Sequence, residues 1–472
     1  LCTCGDICVN ETGWWRAGAD FNASNTPIQH AINNATAGNT ICVKDGTYSE
    51  NVDVNKRLMI RSENGTANCI VNALRSSDHV FKVTSDYVNI SGFTVQKAAG
   101  FEKAGIYLGS GIEHCNISDN NASNSYCGIY LDDSSNNTLS NNTANSNYYG
   151  ILLYLSSNYN TLSNNTANSN NEHGIYLYSS SNNNLTNNIA KENSEFDLYI
   201  FADSDSCCNN KIENMTGSGN RPIRYYNSSV SLSDVTLSEL ILCNADQSNI
   251  SNVTIEGSAT KKNNGVLLVR TDFSNLTSIN SSNNSYGICL FSSSNYNTLS
   301  NNTANSNSHG IYLCYSSNYN TLSNNTASNN NYDFYSGEGS HSNTVEDLTI
   351  ASYPTTISFI YDQGIKINGV TTLELNPAGK VNISKFVNAT NVTADSWIFL
   401  NVSYRDADVS GVDEDSLLLY RWNETASAWE LANETGKPNG VNTTGNYVYA
   451  NVTSFSQIAP FGNPTPQNEH AQ

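Results

Sequence analysis

Basic residues, proline, methionine and long apolar runs are all scarce in this chain of 472 residues. It holds 22 Lys and Arg against 42 Asp and Glu, and a formal net charge of −20 argues against a nucleic-acid-binding surface. No apolar run reaches the length of a transmembrane helix, so we expect no membrane segment. Because the chain begins at Leu1 rather than Met, we expect that a signal peptide has been removed.

Asn, Ser and Thr are abundant instead, and they are arranged in a repeat. The fifteen residues SSNYNTLSNNTANSN occur at 156–170 and again at 293–307, and the first twelve return from Ser316. A period of 22 to 24 residues separates the glycines of an accompanying Gly-Ile-x-Leu motif or close variant within each run. Such a period is typical of solenoids, whose repeats stack on their neighbours to bury an apolar face. The motif glycines are Gly105, Gly128, Gly150, Gly174, Gly265, Gly287 and Gly310.

The composition of the repeat favours strands over helices. Asn and Ser side chains compete for helical backbone hydrogen bonds, whereas alternating Ile, Tyr, Leu and Thr suit short strands. We expect Tyr107, Tyr130, Tyr176 and Tyr312 to face outward, because they alternate with apolar residues along the strand. The apolar residues expected to point inward are Ile129, Ile151, Ile175, Ile288 and Ile311, with Leu139, Leu162, Leu185, Leu299 and Leu322.

One asparagine position also recurs in each repeat. Asn tolerates the left-handed conformation of a tight corner, so we expect these side chains to form an amide ladder along the solenoid. Sugars on successive turns, about 4.8 Å apart, would collide. We therefore expect N-glycans away from the ladder, at Asn116, Asn227, Asn252 and Asn423. The ladder positions are Asn141, Asn164, Asn187, Asn210, Asn301 and Asn324.

These patterns predict an all-β fold: a right-handed parallel β-helix with about 23 residues per turn, followed by a C-terminal β-sandwich. Residues 1–39 are predicted to be a cysteine-rich cap with a short helix that begins at Pro27. The β-helix is expected over 40–350, with an irregular insertion at about 201–235. An Ig-like sandwich is expected over 351–462 and a disordered tail over 463–472.

Twelve cysteines indicate an oxidising, extracellular setting. Cys289 and Cys314 are expected to face outward about 8 Å apart, beyond the roughly 7 Å reach of a disulfide. We expect them to bond cysteines of the segment LCTCGDIC in a neighbouring molecule, while pairing of all twelve within the chain stays open. The disulfide candidates are Cys2, Cys4, Cys8, Cys42, Cys69, Cys115, Cys127, Cys207, Cys208, Cys243, Cys289 and Cys314.

A polysaccharide-cleaving β-helix needs acidic and basic side chains that converge on one groove, and the repeats here are nearly uncharged. His173 and His309 both precede a motif glycine, and we interpret them as solvated corner residues. Near-identical repeats make surfaces rather than active sites, so we expect no catalytic residue and no enzyme activity. The catalytic candidates weighed are Asp132 and Asp133, Glu172 with His173, Lys191 with Glu192, and Arg270 with Asp272.

Carboxylates crowd one stretch near the C-terminus. Asp406, Asp408, Asp413 and Asp415 are candidate Ca²⁺ ligands because hard cations prefer oxygen donors. The alternative is an acidic loop in solvent. No other cofactor is expected.

About 340 N-terminal residues resemble the right-handed parallel β-helix proteins of archaeal, methanogen-type cell surfaces. That wide group includes pectate-lyase-like enzymes and periplasmic nitrous-oxide-reductase maturation proteins. The resemblance implies the fold and not the function, because the fold hosts lyases, epimerases, adhesins and structural layers. With two Met and seven His we find no copper-binding pattern, so the maturation role is not implied. The matching segments are PIQHAINNATAGNTICVKDGTYSENVDVNKRLMIRSENG, DHVFKVTSDYVNISGFTV and the GIYL…SSN…TLSNN repeats, and YRDADVSGVDEDSLLLYRWNE and NYVYANVTSFSQIAPFG resemble methanogen envelope sandwich domains.

We therefore predict an extracellular structural protein that self-assembles into an archaeal cell-envelope layer, sheath or filament. Its expected partners are copies of itself and envelope glycans. The alternative is a secreted carbohydrate-binding or polysaccharide-cleaving β-helix protein. The assembly state distinguishes the two.

Overall fold

The computed structural model describes residues 2–337, 339–350 and 353–465. It is a β-solenoid of about 13 turns with about 23 residues per turn, which confirms the predicted repeat. One turn is called a rung below. The last strand ends at Pro464, and the greater part of the expected disordered tail, 466–472, lies outside the described residues.

Two compact units make up the chain, and neither has a boundary at residue 350. The first unit consists of Leu1–Asn227, Leu237–Cys243 and Gly257–Asn264. The second consists of Ser228–Thr236, Asn244–Glu256 and Gly265–Gln472.

A short helix, Pro27–Asn34, lies where the Thr-Pro pair predicts one, in the first unit. It buries Ile28 and Ile32 on one face. The Glu50 carboxylate accepts hydrogen bonds from the N–H groups of Ile28 at 3.0 Å and Gln29 at 2.9 Å, so two donors at the helix start are satisfied. No described helix is long and apolar enough to cross a membrane.

Three sheets run along the first unit. The first, parallel except at its N-terminal edge, comprises Ile7–Asn10, Gly13–Arg16, Asn22–Ala23, Thr40–Val43, Met59–Ser62, Asn89–Ser91, Asn116–Ser118, Thr138–Ser140, Thr161–Ser163, Asn184–Thr186 and Lys211–Glu213. The second comprises Gly46–Ser49, Cys69–Asn72, Thr94–Gln96 and Asn121–Ser123. The third comprises Val52–Val54, Phe81–Val83, Ala104–Leu108, Cys127–Asp132, Tyr149–Tyr154, His173–Tyr178 and Phe196–Phe201.

The regular rungs of the first unit end near residue 210. Two short 3-10 helices, Asp205–Cys208 and Ser218–Asn220, lie in the region where an insertion is expected. Met215–Thr216 pairs antiparallel with Pro222–Tyr226, which in turn pairs with Glu239–Cys243 in parallel. This antiparallel pair interrupts the parallel order of the preceding rungs.

Register along the third sheet confirms the inward apolar file. Ile129, Ile151 and Ile175 are aligned as direct neighbours, and none of the three is exposed to solvent. Leu139 and Leu162 are aligned in the first sheet in the same way and are also fully buried. Stacked apolar residues of this kind form the solenoid core.

The amide ladder lies one residue further along the chain than predicted. Asn141 and Asn164 have the expected left-handed φ of 56° and 55°, but their side chains are exposed. The following residues turn inward instead. Asn165 Oδ1 accepts from Asn142 Nδ2 at 3.0 Å, and Asn165 Nδ2 donates to Asn188 Oδ1 at 3.0 Å, with all three residues buried.

Further buried ladders lie beside this one. Asn210, which was expected at the exposed corner, belongs to one of them, because its Oδ1 accepts from Asn183 Nδ2 at 3.2 Å. The corner and the interior of each rung therefore use different asparagines. The other ladder residues are Asn137 and Asn160, Asn147, Asn170 and Asn193, and Asn302 and Asn325.

Two long sheets run along the second unit. One comprises Ser231–Ser233, Asn249–Ser251, Asn275–Thr277, Thr298–Ser300, Thr321–Ser323, Thr344–Ile350, Thr355–Tyr361, Ile398–Ser403, Tyr447–Val452 and Asn439–Asn442. The other comprises Val266–Val269, Tyr286–Phe291, His309–Leu313, Tyr332–Ser336, Ile365–Asn368, Val387–Asn391, Gln457–Pro464, Val412–Asn423 and Ala428–Leu431, with Val381–Asn382 beside Gln457–Pro464. Short strands at Thr254–Ile255 and Asn280–Ser281 pair with each other, and Thr236–Leu237 is a further two-residue strand.

The C-terminal strands continue the sheets of the solenoid. Thr344–Ile350 pairs in parallel with Thr321–Ser323 on one side and antiparallel with Thr355–Tyr361 on the other. Tyr332–Ser336 likewise pairs antiparallel with Ile365–Asn368. The change from parallel to antiparallel pairing, not a linker, marks the end of the repeats, and an independent Ig-like sandwich over 351–462 stays a prediction.

The cysteines differ from the intermolecular expectation. Cys2 bonds Cys8 and Cys4 bonds Cys42, so the N-terminal segment is tied within its own chain. A third disulfide joins Cys208 and Cys243. Cys289 and Cys314, expected outward, are 5% and 6% exposed and therefore poorly placed to reach a neighbouring molecule. Cys69, Cys115, Cys127 and Cys207 are buried as well.

We expect denaturing electrophoresis of the native protein to give one monomer band with and without reductant. A thiol probe should label the folded chain hardly at all and the unfolded chain readily, because burial excludes the reagent and raises the pKa of Cys115 to about 11. Reductant-sensitive multimers would contradict the burial of Cys289 and Cys314.

Candidate functional site

Aromatic side chains cover the outer face of the third sheet of the first unit. Parallel pairing aligns Tyr107 with Tyr130 and Tyr176 with Tyr199, which agrees with the predicted outward file. Ring centroids lie 5.3 Å apart in the first pair and 5.1 Å in the second. We call this surface the tyrosine wall. Its members are Tyr107, Tyr126, Tyr130, Tyr148, Tyr149, Tyr154, His173, Tyr176, Tyr178, Phe196, Tyr199 and Phe201.

Carboxylates border the tyrosine wall. The Tyr107 hydroxyl donates to Asp132 Oδ2 at 2.9 Å, and burial together with that hydrogen bond raises the Tyr107 pKa. Burial and the charge of Glu172 raise the pKa of Tyr148 in the same way. These phenols therefore stay protonated at neutral pH and remain hydrogen-bond donors.

His173 lies between two carboxylates, those of Glu172 and Glu195. Glu172 precedes it, and Glu195 takes the position of Glu172 on the next rung, because His173 is aligned with Phe196. The ligand atoms of the three residues all lie within 4.8 Å of one another, with His173 Nε2 4.0 Å from Glu195 Oε2. Burial lowers the pKa of His173 to about 3, so the ring is neutral and its approach to Glu195 is not an ion pair.

The interpretation of His173 as a solvated corner residue is wrong. It is 4% exposed, and the rings of Tyr176 and Tyr199 lie 5.0 and 4.5 Å from its own. Its Nδ1 atom is buried and has no hydrogen-bond partner. Sequence reasoning noted Glu172 with His173 but missed Glu195, which the repeat spacing of 23 residues after Glu172 would have revealed.

His309 occupies the equivalent position in the second unit, as its place before a motif glycine predicts. It is aligned with Tyr286 and Tyr332, and burial and the charge of Lys366 lower its pKa to about 4. Its Nδ1 is also buried without a partner. The residues in the place of the two glutamates are Ser308 and Asn331, so this histidine has no flanking carboxylate.

The other catalytic candidates take part in structural hydrogen bonds. Glu192 Oε2 accepts from the hydroxyls of Ser258 at 2.5 Å and Thr260 at 3.1 Å. Asp272 Oδ1 accepts from the N–H of Asn295 at 2.6 Å. Asp133 Oδ2 accepts a hydrogen bond from the Ser110 hydroxyl, and Lys191 Nζ donates a hydrogen bond to Asn220 Oδ1.

The expected Ca²⁺ ligands do not come together. Asp408 lies 3.2 Å from Lys385 Nζ and 3.1 Å from an Arg405 guanidinium nitrogen, so its charge is already balanced. Asp406 accepts from Asn446 Nδ2 at 2.9 Å. Within the described ranges, His, Cys, Asp and Glu ligand atoms converge in a group of three at Glu172, His173 and Glu195, and not among Asp406, Asp408, Asp413 and Asp415.

An exposed aromatic ladder runs along one corner of the second unit. Phe273, Tyr296 and Tyr319 occupy the same position on three successive rungs, and their rings stack at 5.1 Å with interplanar angles of 4° and 8°. They are 55%, 49% and 51% exposed. All three have a left-handed φ of 56° to 57°, which holds the side chains outward at the corner.

The expected glycan positions do not all lie off the exposed asparagine corner. Asn252 has a left-handed φ of 53°, and register places it on the same corner file as Asn301, which corrects its assignment. Asn116 lies within a strand and away from that corner. Asn423 ends a long C-terminal strand, and Asn227 is half-buried.

We expect glycopeptide mass spectrometry of the native protein to find Asn423 occupied more fully than Asn141 and Asn164. The latter two are exposed but stacked on adjacent rungs about 4.8 Å apart, so a glycan on one excludes a glycan on the other. Full occupancy of both corner sites would contradict this steric argument.

Comparison with known proteins gives one family. A family model described as "Periplasmic copper-binding protein (NosD)" matches residues 32–238 and 218–447. A cell surface glycoprotein of Methanothermus fervidus is 37% identical over 103 residues, which is 21% of this chain and 16% of that protein. The chain therefore matches a small part of that relative's length.

Solved structures show a distant likeness. The A-module of a mannuronan C-5 epimerase from Azotobacter vinelandii has a TM-score of 0.41 at 15% identity, covering 69% of this chain and 93% of the module. The Dettilon tailspike protein has a TM-score of 0.37 at 12% identity, covering 92% of this chain and 90% of the tailspike chain. A likeness at this level does not extend to function.

The family description names copper, and the donors of this chain fit one oxidation state better. Cu⁺ prefers thiolate, thioether and imidazole ligands, but no described cysteine joins a converging group of three His, Cys, Asp or Glu donors. The imidazole of His173 with the carboxylates of Glu172 and Glu195 suits Cu²⁺, or another divalent first-row ion such as Zn²⁺.

Proposed function

The chain belongs to the NosD family of periplasmic copper-binding proteins, and on that premise we propose that it is an extracellular structural protein that assembles with copies of itself. The assembly is a cell-envelope layer, sheath or filament. The match to a cell surface glycoprotein and the three disulfides support a location outside the cytosol.

The exposed aromatic ladder carries this proposal. Single exposed aromatic residues are ordinary on a protein surface, whereas three in register form a continuous apolar strip that marks an interaction surface. Phe273, Tyr296 and Tyr319 each keep about half of their surface in solvent while stacked on one another. Removing that surface from water is favourable by roughly 25 cal/mol per Å².

Charge also favours a second copy as the partner. The whole chain carries −20, which would repel another copy over much of its surface. Residues 273–332, which contain the ladder, include no Asp, Glu, Lys or Arg. Two copies can therefore meet along these rungs without placing like charges opposite one another.

The repeat itself supplies a substitution that should stop assembly without disturbing the fold. The equivalent corner of the first unit carries Asn136, Tyr159 and Asn182, so asparagine is accepted there at a left-handed φ of 57° to 58°. We expect the double change Tyr296→Asn and Tyr319→Asn to abolish concentration-dependent association in sedimentation velocity. The change Tyr159→Asn, at a 60% exposed residue without stacked aromatic neighbours on its file, is the matched control and should leave association intact.

The tyrosine wall favours a second candidate function, binding of an extended envelope glycan. Aromatic faces and carboxylates along successive rungs offer stacking and hydrogen bonding to sugars. We propose no cleavage of the glycan, because Asp132, Asp133 and Glu192 are engaged in hydrogen bonds within the chain. Titration with a soluble polyuronide, followed by product analysis, separates the two functions. A chain that stays monomeric at high concentration and binds or cleaves the polymer would replace the structural proposal.

A further inference from the structure

The repeat breaks at the tyrosine wall where the three polar residues meet. In the rungs before them, the place of Glu172 is held by Tyr126 and Tyr148, because Tyr126, Tyr148 and Glu172 each lie directly before an aligned strand. Copied rungs build a uniform surface, so a site for a specific ligand requires residues that differ from the copies. Glu172 and Glu195 are such residues.

These side chains have the chemistry of a divalent transition-metal site. A neutral imidazole and two carboxylates are the nitrogen and oxygen donors that Zn²⁺ and Cu²⁺ accept. His173 is 4% exposed, and its Nε2 atom faces the Glu195 carboxylate, with 4.0 Å between Nε2 and Oε2. Glu172 and Glu195 are half-buried, so an ion can reach them from solvent.

The spacing requires only a small closure. An ion about 2.1 Å from each ligand atom in a tetrahedral site holds those atoms about 3.4 Å apart. His173 Nε2 and Glu195 Oε2 are 4.0 Å apart, and all three ligand atoms lie within 4.8 Å. Rotation of the glutamate side chains at the surface can close this difference, which is at most about 1.4 Å, without movement of the backbone.

We propose that Glu172, His173 and Glu195 bind one divalent first-row transition-metal ion, Zn²⁺ or Cu²⁺, on the outer face of the first unit. The site is independent of the aromatic ladder, which lies in the second unit. Water completes the coordination on the solvent side.

A second histidine of the chain, His309, serves as an internal control for this proposal. His309 has the same place in the motif, lies between two aligned aromatic residues as His173 does, and has the same unpartnered Nδ1. It lacks both carboxylates, since Ser308 and Asn331 stand in their place. A histidine in this position without glutamates should bind no ion.

Titration calorimetry of the full chain with ZnCl₂, and separately with CuCl₂, tests the site. We expect one ion per chain, and an electron paramagnetic resonance spectrum of the Cu²⁺ form that shows coupling to a single imidazole nitrogen. His173→Tyr introduces the residue that the preceding rung carries at Tyr149, and it should weaken binding at least about tenfold, as should Glu195→Gln. His309→Tyr should bind as the unaltered chain does.

Several results would overturn the proposal. They are no uptake of either ion at millimolar concentration, unchanged affinity in Glu195→Gln, or loss of binding in His309→Tyr. Circular dichroism checks that each variant is folded. If His173→Tyr fails to fold, the test is the metal affinity of the double variant Glu172→Gln and Glu195→Gln, in which both changed residues are half-buried. An unchanged affinity in that double variant rules the site out.

Discussion

Replacing Asn165 by alanine is expected to destabilise the first unit by about 3–5 kcal/mol, because several buried groups lose their partners at once. Asn165 Oδ1 accepts from the N–H and the Nδ2 of Asn142, both at 3.0 Å. Its Nδ2 donates to the carbonyl of Leu139 and to Asn188 Oδ1, both at 3.0 Å. Each buried polar group left without a partner costs about 1–3 kcal/mol.

Asn164→Gly is the matched control for this change. Asn164 is the exposed neighbour of Asn165 and has a left-handed φ of 55°, a conformation that glycine adopts without strain. Urea unfolding should shift little for the control and strongly for Asn165→Ala. Equal shifts in the two variants would mean that the buried ladder contributes no more than an exposed corner residue does.

Glu239→Gln is expected to stabilise the first unit at neutral pH. Glu239 is fully buried, and burial, followed by the nearby charge of Asp197, raises its pKa well above the usual value of 4.5. Its Oε2 accepts from the N–H of Leu198 at 3.1 Å, while its Oε1 has no partner. The folded chain therefore keeps the Glu239 proton to a higher pH than the unfolded chain does.

The sign of the pH dependence follows from this proton. A carboxyl whose pKa is raised by folding contributes its full stability below about pH 4.5, and stability falls as the pH rises toward the folded pKa, by about 1.4 kcal/mol per unit. Glutamine keeps an acceptor for Leu198 and cannot ionise. The variant and the unaltered chain should therefore be about equally stable at pH 4 and diverge in favour of the variant as the pH rises.

Asp197→Asn provides the contrast. Asp197 accepts from the N–H of Ser218 at 2.8 Å, from Asn264 Nδ2 at 2.8 Å and from Asn193 Nδ2 at 2.9 Å. The NH₂ group of an asparagine at this position would face some of the N–H groups that now donate to Asp197. Because two donors cannot hydrogen-bond to each other, this change should destabilise the unit. If the free energy of unfolding of Glu239→Gln differed from that of the unaltered chain by the same amount at every pH, the assignment of the proton to Glu239 would be contradicted.

The inward apolar files and the left-handed corners can be predicted from the sequence, because each is formed by a single position that recurs in every repeat. Ile151 and Asn164 recur with the same spacing on each rung, and side-chain alternation in a strand then fixes which residues point inward. The spacing does not show which of the adjacent residues Asn164 and Asn165 turns inward. Both are asparagine, and only the hydrogen bonds to neighbouring rungs distinguish them.

Other features depend on contacts that the repeat does not encode. The continuation of the solenoid sheets by Thr355–Tyr361 and Ile365–Asn368 requires antiparallel partners from unlike segments of sequence. The burial of Cys289 and Cys314 follows from neighbouring rings and strands that alternation along a single strand does not reveal. His173 is buried in the same way, by aromatic residues of adjacent rungs.

Electron microscopy of the purified full chain at high concentration tests the central claim of self-assembly most directly. The account predicts ordered rows, tubes or sheets that disperse into single particles when Tyr296→Asn and Tyr319→Asn are introduced together. It also predicts that Tyr159→Asn leaves the arrays in place. Separate, monodisperse particles of the unaltered chain at every concentration, with or without millimolar Ca²⁺, would contradict it.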